Sequence, residues 1–500
     1  MSASEWWRGA AIYQIYPRSF QDSDGDGVGD LRGAIRRLPY LASLGIDAVW
    51  ISPFFKSPMA DMGYDVADYR AVDPLFGTLE DFDELLAEAH RLGLKVIIDQ
   101  VISHSSDQHP WFIESRASRY NPKSGWYVWT DPKPDGTAPN NWLSIFGGPA
   151  WEWDGVRRQY YLHNFLASQP DLNFHCPAVQ DEMLDIARFW LERGVDGFRM
   201  DAVNFYLHNQ ALTDNPPMAK GATNDVPETN PYGFQQHVYD KTQPENLEFL
   251  RRYRKLLDHF DNRVTIGEVG DGPRSLQTAG EYTSGGDKLH MCYTFDLLGP
   301  GFTPARFAKA IRDFEESAPG GWPCWAFSNH DVVRHATRWG EPAAELAIML
   351  LISLRGAICL YQGEELGLTE AELTFEDLRD PYGIRFWPAF KGRDGCRTPM
   401  VWEHNQPNAG FSMAQPWLPV PPEHLVKAVD TTPKILDRYR AALRFRRRQE
   451  QLQTGNITIL EAGEAVLAFT RGNILCVFNL SAEGVTWRDH DYPPWGWAVG

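Results

Sequence analysis

The sequence contains no run of about 20 apolar residues, the length a membrane-spanning helix needs, so no membrane span is expected. Its first eight residues, Met1 to Arg8, lack a basic stretch followed by an apolar one. No secretory signal is read there, and a cytoplasmic location is expected. Basic residues are few: 48 Lys and Arg stand against 66 Asp and Glu, a formal net charge of −18. That balance argues against nucleic acid and anionic membranes as partners. Cysteine is sparse as well. Cys176, Cys292, Cys324, Cys359, Cys396 and Cys476 lie far apart with no metal-binding spacing, and read as buried, reduced thiols. No short-period repeat is present.

What is present is a 500-residue chain, 43% hydrophobic and 23% charged, large enough for one main core and one or two smaller ones. Short apolar segments at 11–16, 46–51, 94–100, 197–201, 264–268, 291–295, 325–328 and 357–361 read as buried strands. Amphipathic stretches such as 79–92 and 179–192 stand between most of them. In the first, Phe82, Leu85, Leu86 and Ala89 recur at helical spacing. Eight βα units predict a (β/α)8 barrel, with a doubly wound open sheet as the alternative. Two connections are too long for plain loops. Residues 105–177, rich in Trp, Pro, Asn and Gly, predict a subdomain inserted after the third strand. Residues 370–433, rich in Pro and Gly, predict a lid after the eighth. The barrel then comprises 1–104 and 178–450. Strand-like runs at 465–470 and 474–479 predict a small C-terminal β domain over 451–500, short enough to be an incomplete one.

Three carboxylates, Asp201, Glu268 and Asp331, close or follow strand-like runs. Acids at the ends of different strands are how a barrel enzyme builds its site. Arg199 and Asp201 stand two apart and face the same way. An arginine beside a carboxylate holds it ionised, as a carboxylate nucleophile requires. Taken singly, each residue has a structural reading: Arg199 and Asp201 as a salt bridge, Glu268 as an ion-pair partner, Asp331 as a helix cap. Their joint placement at strand ends favours chemistry. A separate motif spans 22–30. Asp22, Asp24, Asp26, the Val28 carbonyl and Asp30 offer oxygens at alternate positions, with Gly27 at the sixth, and this suits one hard divalent cation. The twelfth position is Gly33 rather than Glu and no helix precedes the loop, so it is not an EF-hand.

From about residue 6 to 448 the chain resembles the α-amylase family of glycoside hydrolases, within it the α-glucosidase and oligo-1,6-glucosidase branch. The resemblance is carried by Ile-Tyr-Gln-Ile-Tyr-Pro-Arg-Ser-Phe at 12–20, Asp-Gln-Val-Ile-Ser-His at 99–104, Gln-Pro-Asp-Leu-Asn at 169–173, Gly-Phe-Arg-Met-Asp at 197–201, Glu268, Asn-His-Asp at 329–331 and Gly-Cys-Arg-Thr-Pro at 395–399. It implies a retaining mechanism, with Asp201 as nucleophile, Glu268 as acid/base and Asp331 gripping sugar hydroxyls. Carboxyls about 5 Å apart permit double displacement. Glu268, beside two other negative groups, would stay protonated until it donates. The resemblance also implies a first sugar pocket. Asp61 and Tyr64 would hold the non-reducing glucose, with Tyr64 stacked on its ring and Arg397 pairing with Asp61. His104 and His330 would bond hydroxyls, and Phe165 would form an apolar wall. Tyr64 and Phe165 also admit a reading as core aromatics. The loop at 22–30 would hold a structural Ca2+ or Mg2+ far from catalysis. No organic cofactor is implied.

Departures from the family pattern sharpen this. Ser103 replaces an Asn that holds a structural calcium in α-amylases, which argues against that site. Asn204 and Phe205 stand where α-amylases place Lys-His, which argues against endo action. Ala202, next to the nucleophile, goes with α-1,4 bonds in this branch. The expected activity is exo-hydrolysis of short α-1,4-glucosides, maltose-like or sucrose, with glucosyl transfer to acceptor alcohols. A sucrose hydrolase or an α-glucosyltransferase or isomerase on the same scaffold is the alternative. A non-catalytic relative acting as an interaction protein is the remote one, since all three acids are kept.

Overall fold

Eight short parallel strands form the centre of the computed structural model, which describes residues 3–219 and 226–500. They are β1 (Ala11–Ile15), β2 (Ala48–Ile51), β3 (Lys95–Gln100), β4 (Gly197–Met200), β5 (Val264–Val269), β6 (Met291–Thr294), β7 (Cys324–Ala326) and β8 (Ala357–Tyr361). Their sequences are almost unbroken apolar runs, as strands covered on both faces require. The hydrogen-bonded order is β6-β5-β4-β3-β2-β1-β8-β7. The ring closes between β6 and β7 through one parallel bridge, Cys292 opposite Pro323. This is the expected barrel, and the closure removes the open-sheet alternative. The largest boundary difference is β7, expected at 325–328. It ends at Ala326 because Ser328 turns out of the sheet to accept the His335 N–H at 3.0 Å.

The outer helices are α1 (Leu31–Leu44), α2 (Leu79–Arg91), α3 (Pro177–Arg193), α4 (Asn246–Leu257), α5 (Ser275–Thr283), α6 (Pro304–Ser317), α7 (Glu341–Ser353) and α8 (Lys434–Arg448). Local signals set their ends. Thr78 and Asp81 form a capping box at the start of α2. Gly194, in the left-handed region at φ 108°, ends α3. Phe82, Leu85, Leu86 and Ala89 of α2 are buried, as their spacing predicted. Trp190 of α3 meets Phe54, Phe55 and Phe82 in one aromatic cluster. The helix α7 is buried nearly all round, between the barrel, α8 and the C-terminal sheet.

The insertion after β3 holds a helix, Pro110–Ala117, and a three-stranded antiparallel sheet in which Gln159–Leu162 lies between Trp129–Thr130 and Trp151–Asp154. A third long excursion, at 203–245 after β4, was not marked by the sequence reading. Its described residues pack on the insertion: Trp142 Nε1 donates to the Thr213 carbonyl at 2.8 Å and Asn141 Nδ2 to that of Asn215 at 2.8 Å. Residues 370–433 form a set of short turns and helices over the strand ends. The C-terminal part is an antiparallel sheet of Ile457–Leu460, Val466–Arg471, Ile474–Asn479 and Trp497–Val499, with a hairpin of Val485–Trp487 and His490–Tyr492. Buried arginines tie it to the barrel. Arg446 donates to the Leu452 carbonyl at 2.9 Å and Arg471 to that of Ser353 at 2.6 Å. Among the described residues no helix is long and apolar enough to cross a membrane.

Candidate active site

The register of the barrel brings the catalytic candidates together. Asp99 of β3 is the Cα partner of Arg199 in β4, and Glu268 of β5 that of Tyr293 in β6. Asp201 lies one residue past β4 and, as predicted, on the same face as Arg199. The Arg199 guanidinium is buried and serves three carboxylates. Nη1 donates to Asp99 Oδ1 at 2.8 Å and Asp201 Oδ1 at 2.5 Å, while Nη2 forms an ion pair with Glu268 Oε1. The Trp50 ring lies 4.9 Å from its carbon. Sharing corrects the expectation that Arg199 simply holds Asp201 ionised. Burial pushes the Asp201 carboxyl well above its ordinary value; Arg199 opposes this, and the charges of Glu268 and Asp99 add to it. Burial likewise raises Asp99 to about 6 against the pull of Arg199. One cation divided among three buried acids leaves the cluster able to keep a proton at neutral pH.

Glu268 is held at both oxygens. Tyr293 O–H donates to Oε1 at 2.8 Å, and the Ala202 N–H donates to Oε2 at 3.0 Å. Ala202 reaches this position from the left-handed region, at φ 41°. A β-branched residue there would cost on the order of 1–3 kcal/mol in strain.

A second ionic cluster lies across the pocket. Asp331, in the loop after β7, accepts from Arg397 Nη2 at 2.9 Å and Arg393 Nη1 at 3.2 Å. Burial alone would raise its carboxyl, but His330 and the guanidiniums of Arg393 and Arg397 outweigh it and hold Asp331 far below the carboxylate range. Burial keeps His330 itself uncharged, so the arginines carry the effect. Asp61 corrects one expected pair. Its partner is Arg393, whose Nη2 donates to Asp61 Oδ1 at 2.8 Å and to Asp380 Oδ1 at 2.7 Å. Arg397 instead donates to the His330 carbonyl at 2.7 Å and to Asp331. The turn Asp394–Cys396 separates the two side chains, so one reaches Asp61 and the other is drawn to Asp331. Burial raises Asp61 to about 6, with Arg393 and Arg397 opposing.

The remaining expected residues line the same cavity, about 1210 Å³ in volume. The Tyr64 hydroxyl lies 2.6 Å from His330 Nε2, and the two rings stack at 5.3 Å. Tyr64 therefore lines the cavity and packs on a core neighbour at once. His104 Nε2 lies 2.9 Å from the Tyr64 carbonyl, and burial lowers this histidine to about 4, so it is neutral. Phe165 packs 5.0 Å from His104 and 5.4 Å from Phe205. The sequence reading did not single out Arg393, Tyr293, Gln169 or Lys241 as site residues. Gln169 Nε2 bridges to Asp61 Oδ2 at 3.1 Å, and Lys241 Nζ donates to the Gly270 carbonyl at 2.8 Å. The first had a signal: Arg393 and Asp394 immediately precede the matched run at 395–399.

The acidic loop gathers carboxylate oxygens of Asp22, Asp24 and Asp30 within 4.8 Å of one another. Asp26 is outside that group and accepts the Val28 N–H at 2.7 Å. Val28 packs its side chain on the core. An all-oxygen anionic set fits a hard cation. The loop is fastened to the lid, since Ser412 Oγ donates to Asp22 Oδ2 at 2.6 Å and Asp22 N–H to the Phe411 carbonyl at 3.1 Å.

Residues 14–455 match the α-amylase catalytic domain family. A probable alpha-glucosidase of Rhizobium meliloti is 60% identical over 499 residues, covering 96% of this chain and 90% of that protein. The crystal structure of an alpha-glucosyl transfer enzyme, XgtA, superposes with a TM-score of 0.96 at 52% identity, covering 99% of each chain. That of the trehalulose synthase MutB from Pseudomonas mesoacidophila gives 0.89 at 33% identity, again over 99% of each.

The pairing of Asp61 with Arg393 makes a quantitative prediction. In unfolding free energy, Asp61→Asn and Arg393→Gln should be coupled by on the order of 1–3 kcal/mol, and more strongly than Asp61→Asn and Arg397→Gln, which meet only through the shared cluster. Equal coupling to both arginines in the two double-mutant cycles would overturn the assignment.

Proposed function

The chain belongs to the α-amylase catalytic-domain family, and on that premise we propose that it is a retaining, exo-acting α-glucosidase of short α-1,4-glucosides such as maltose, with sucrose as a second donor. The observation that carries this reading is a single guanidinium bridging Asp201 and Glu268 in a pocket walled by the Asp61–Arg393–Asp331–Arg397 cluster. Two carboxyls spanned by one arginine are close neighbours, and a close pair suits double displacement. The ionic cluster shuts the far side, so a glucan enters only by its non-reducing tip.

The mechanism uses the proton that the three-acid cluster retains. When Glu268 takes it up, Arg199 loses one acceptor and its charge falls on Asp99 and Asp201. Asp201, now ionised, attacks the anomeric carbon while Glu268 gives its proton to the leaving oxygen. Glu268 then takes a proton from water as the water oxygen bonds to the anomeric carbon, breaking its bond to Asp201 and freeing the carboxylate. An alcohol can replace water at that step, so transfer to acceptor alcohols belongs to the same proposal. Asp331, held charged by its arginines, accepts hydrogen bonds from sugar hydroxyls and strengthens them as positive charge develops on the ring. Likeness to an enzyme solved with its substrate sucrose supports sucrose as a donor. The aromatic outer wall of Phe205, Tyr232 and Phe390 favours, as a second reading, a glucosyltransferase or isomerase that excludes water.

The proposal includes one Ca2+ or Mg2+ held by Asp22, Asp24 and Asp30, which would fasten the loop and support the lid through Ser412. It also includes a cytoplasmic location, supported by the free thiols of all six cysteines.

Two outcomes test these statements. Proton NMR of the first product from maltose should show α-glucose before mutarotation, and maltose should be cut much faster than isomaltose or soluble starch. Initial β-glucose, or internal oligosaccharides from starch, would contradict the reading. Chelation should lower the melting temperature, because a ligand bound to the native state stabilises it. Its addition should leave initial turnover unchanged well below melting. An immediate loss of turnover with an unchanged melting temperature would contradict the structural role.

A further inference from the structure

We propose that Tyr293 is a positioning residue that sets both the place and the proton affinity of Glu268. The inference rests on the retaining α-glucosidase reading and assigns a residue that reading leaves without a role. Tyr293 is 4% exposed, so its hydroxyl has no access to bulk water for a substitute partner. Two N–H groups of Arg199 donate to that oxygen, Nε at 3.2 Å and Nη2 at 2.7 Å. An arginine in a protein offers donors only. The one proton of the phenol is therefore committed to its remaining neighbour, Glu268 Oε1, at 2.8 Å. The ring is fixed by Trp50, 6.1 Å away, and Phe295, 6.4 Å away. Strand register adds to this, since Tyr293 and Glu268 are Cα partners and cannot drift apart without breaking the barrel.

The charged groups that face this pair come from the strands beside it, Asp99 from β3 and Arg199 and Asp201 from β4 and its end. Of these, Arg199 is the cation that Tyr293 and Glu268 share. A hydrogen bond donated to a carboxylate favours its charged form. Glu268 must give up a proton in the first half-reaction and recover one in the second. A fixed phenol donor on Oε1 favours the ionised form that the second half-reaction starts from.

Tyr293→Phe removes that donor and keeps the ring. With maltose, the basic limb of kcat/KM, which reports the protonated acid in the free enzyme, should move up by about one pH unit. With an aryl α-glucoside whose leaving group needs no acid, kcat is set by deglucosylation. Its acidic limb should move up together with the maltose limb, since Glu268 must be ionised to act as base. Incorporating 3-fluorotyrosine at 293, with the same shape and a more acidic phenol, should move the maltose limb the other way. This second variant decides the matter if Tyr293→Phe does not fold. Limbs that stay in place in the folded variants, with a uniform loss of rate or none, would overturn the proposal. The wild type separates this failure from a failure of the underlying reading. If it does not release α-glucose from maltose, the activity assignment falls. If it does and the limbs do not move, only the role of Tyr293 falls.

Discussion

One buried guanidinium governs the site. Arg199 faces Asp99, Asp201 and Glu268, and each of these acids would be costly to bury alone. Removing the cation would leave three uncompensated carboxylates on neighbouring strands. Removing any one acid would shift its charge onto the other two. The barrel supplies what this arrangement needs. Adjacent parallel strands hold the groups at fixed register, and an almost wholly apolar centre keeps water from screening them.

The two ionic clusters are built for different tasks. Around Arg199, three acids share one positive charge, and burial drives Asp201 and Asp99 toward the protonated form. A cluster short of positive charge can carry a mobile proton, which acid/base chemistry uses. Across the pocket, Asp61, Asp331 and Asp380 share two guanidiniums. Asp331 is held far below the ordinary range, and Asp380, despite burial, is held near 2 chiefly by Arg393. Asp331 and Asp380 therefore stay charged, as a site for sugar hydroxyls should, while burial raises Asp61 against the same two arginines. Both its arginines come from the lid, and the lid is bonded through Ser412 and Phe411 to the acidic loop before α1. Loop, lid and pocket wall thus form one connected body.

Much of this was legible in the sequence because it depends on local pattern. Apolar runs marked the barrel strands, and the acids at or just past three of them marked the site. Alternation along a strand placed Arg199 beside Asp201. What the sequence hid depends on the path of loops. Arg393 and Arg397 stand four residues apart with similar reach, and only the course of the turn between them decides which one meets Asp61. Tyr293 sits in the run Met-Cys-Tyr-Thr, where an aromatic reads as core, and its hydroxyl gains meaning only from the strand beside it. The excursion at 203–245 is as rich in Pro and Asn as the first insertion, so its composition did mark it as irregular; what stayed hidden is that it supplies Phe205, Tyr232 and Lys241 to the cavity wall. The sharing of Arg199 was hidden for the same reason, since a pair is visible along one strand but a third and fourth partner are not.

The central claim is that Asp201, once the proton of the cluster passes to Glu268, becomes the nucleophile. The most direct test is mass spectrometry of the Glu268→Gln protein after brief reaction with an activated α-glucosyl donor. Without its acid/base group the enzyme should form the glucosyl intermediate and be slow to release it. The account predicts one added glucosyl group, mapped by peptide digestion to Asp201 and absent in an Asp201→Asn control. An adduct on Asp99 or Asp331, or turnover of the donor with no adduct at all, would contradict it.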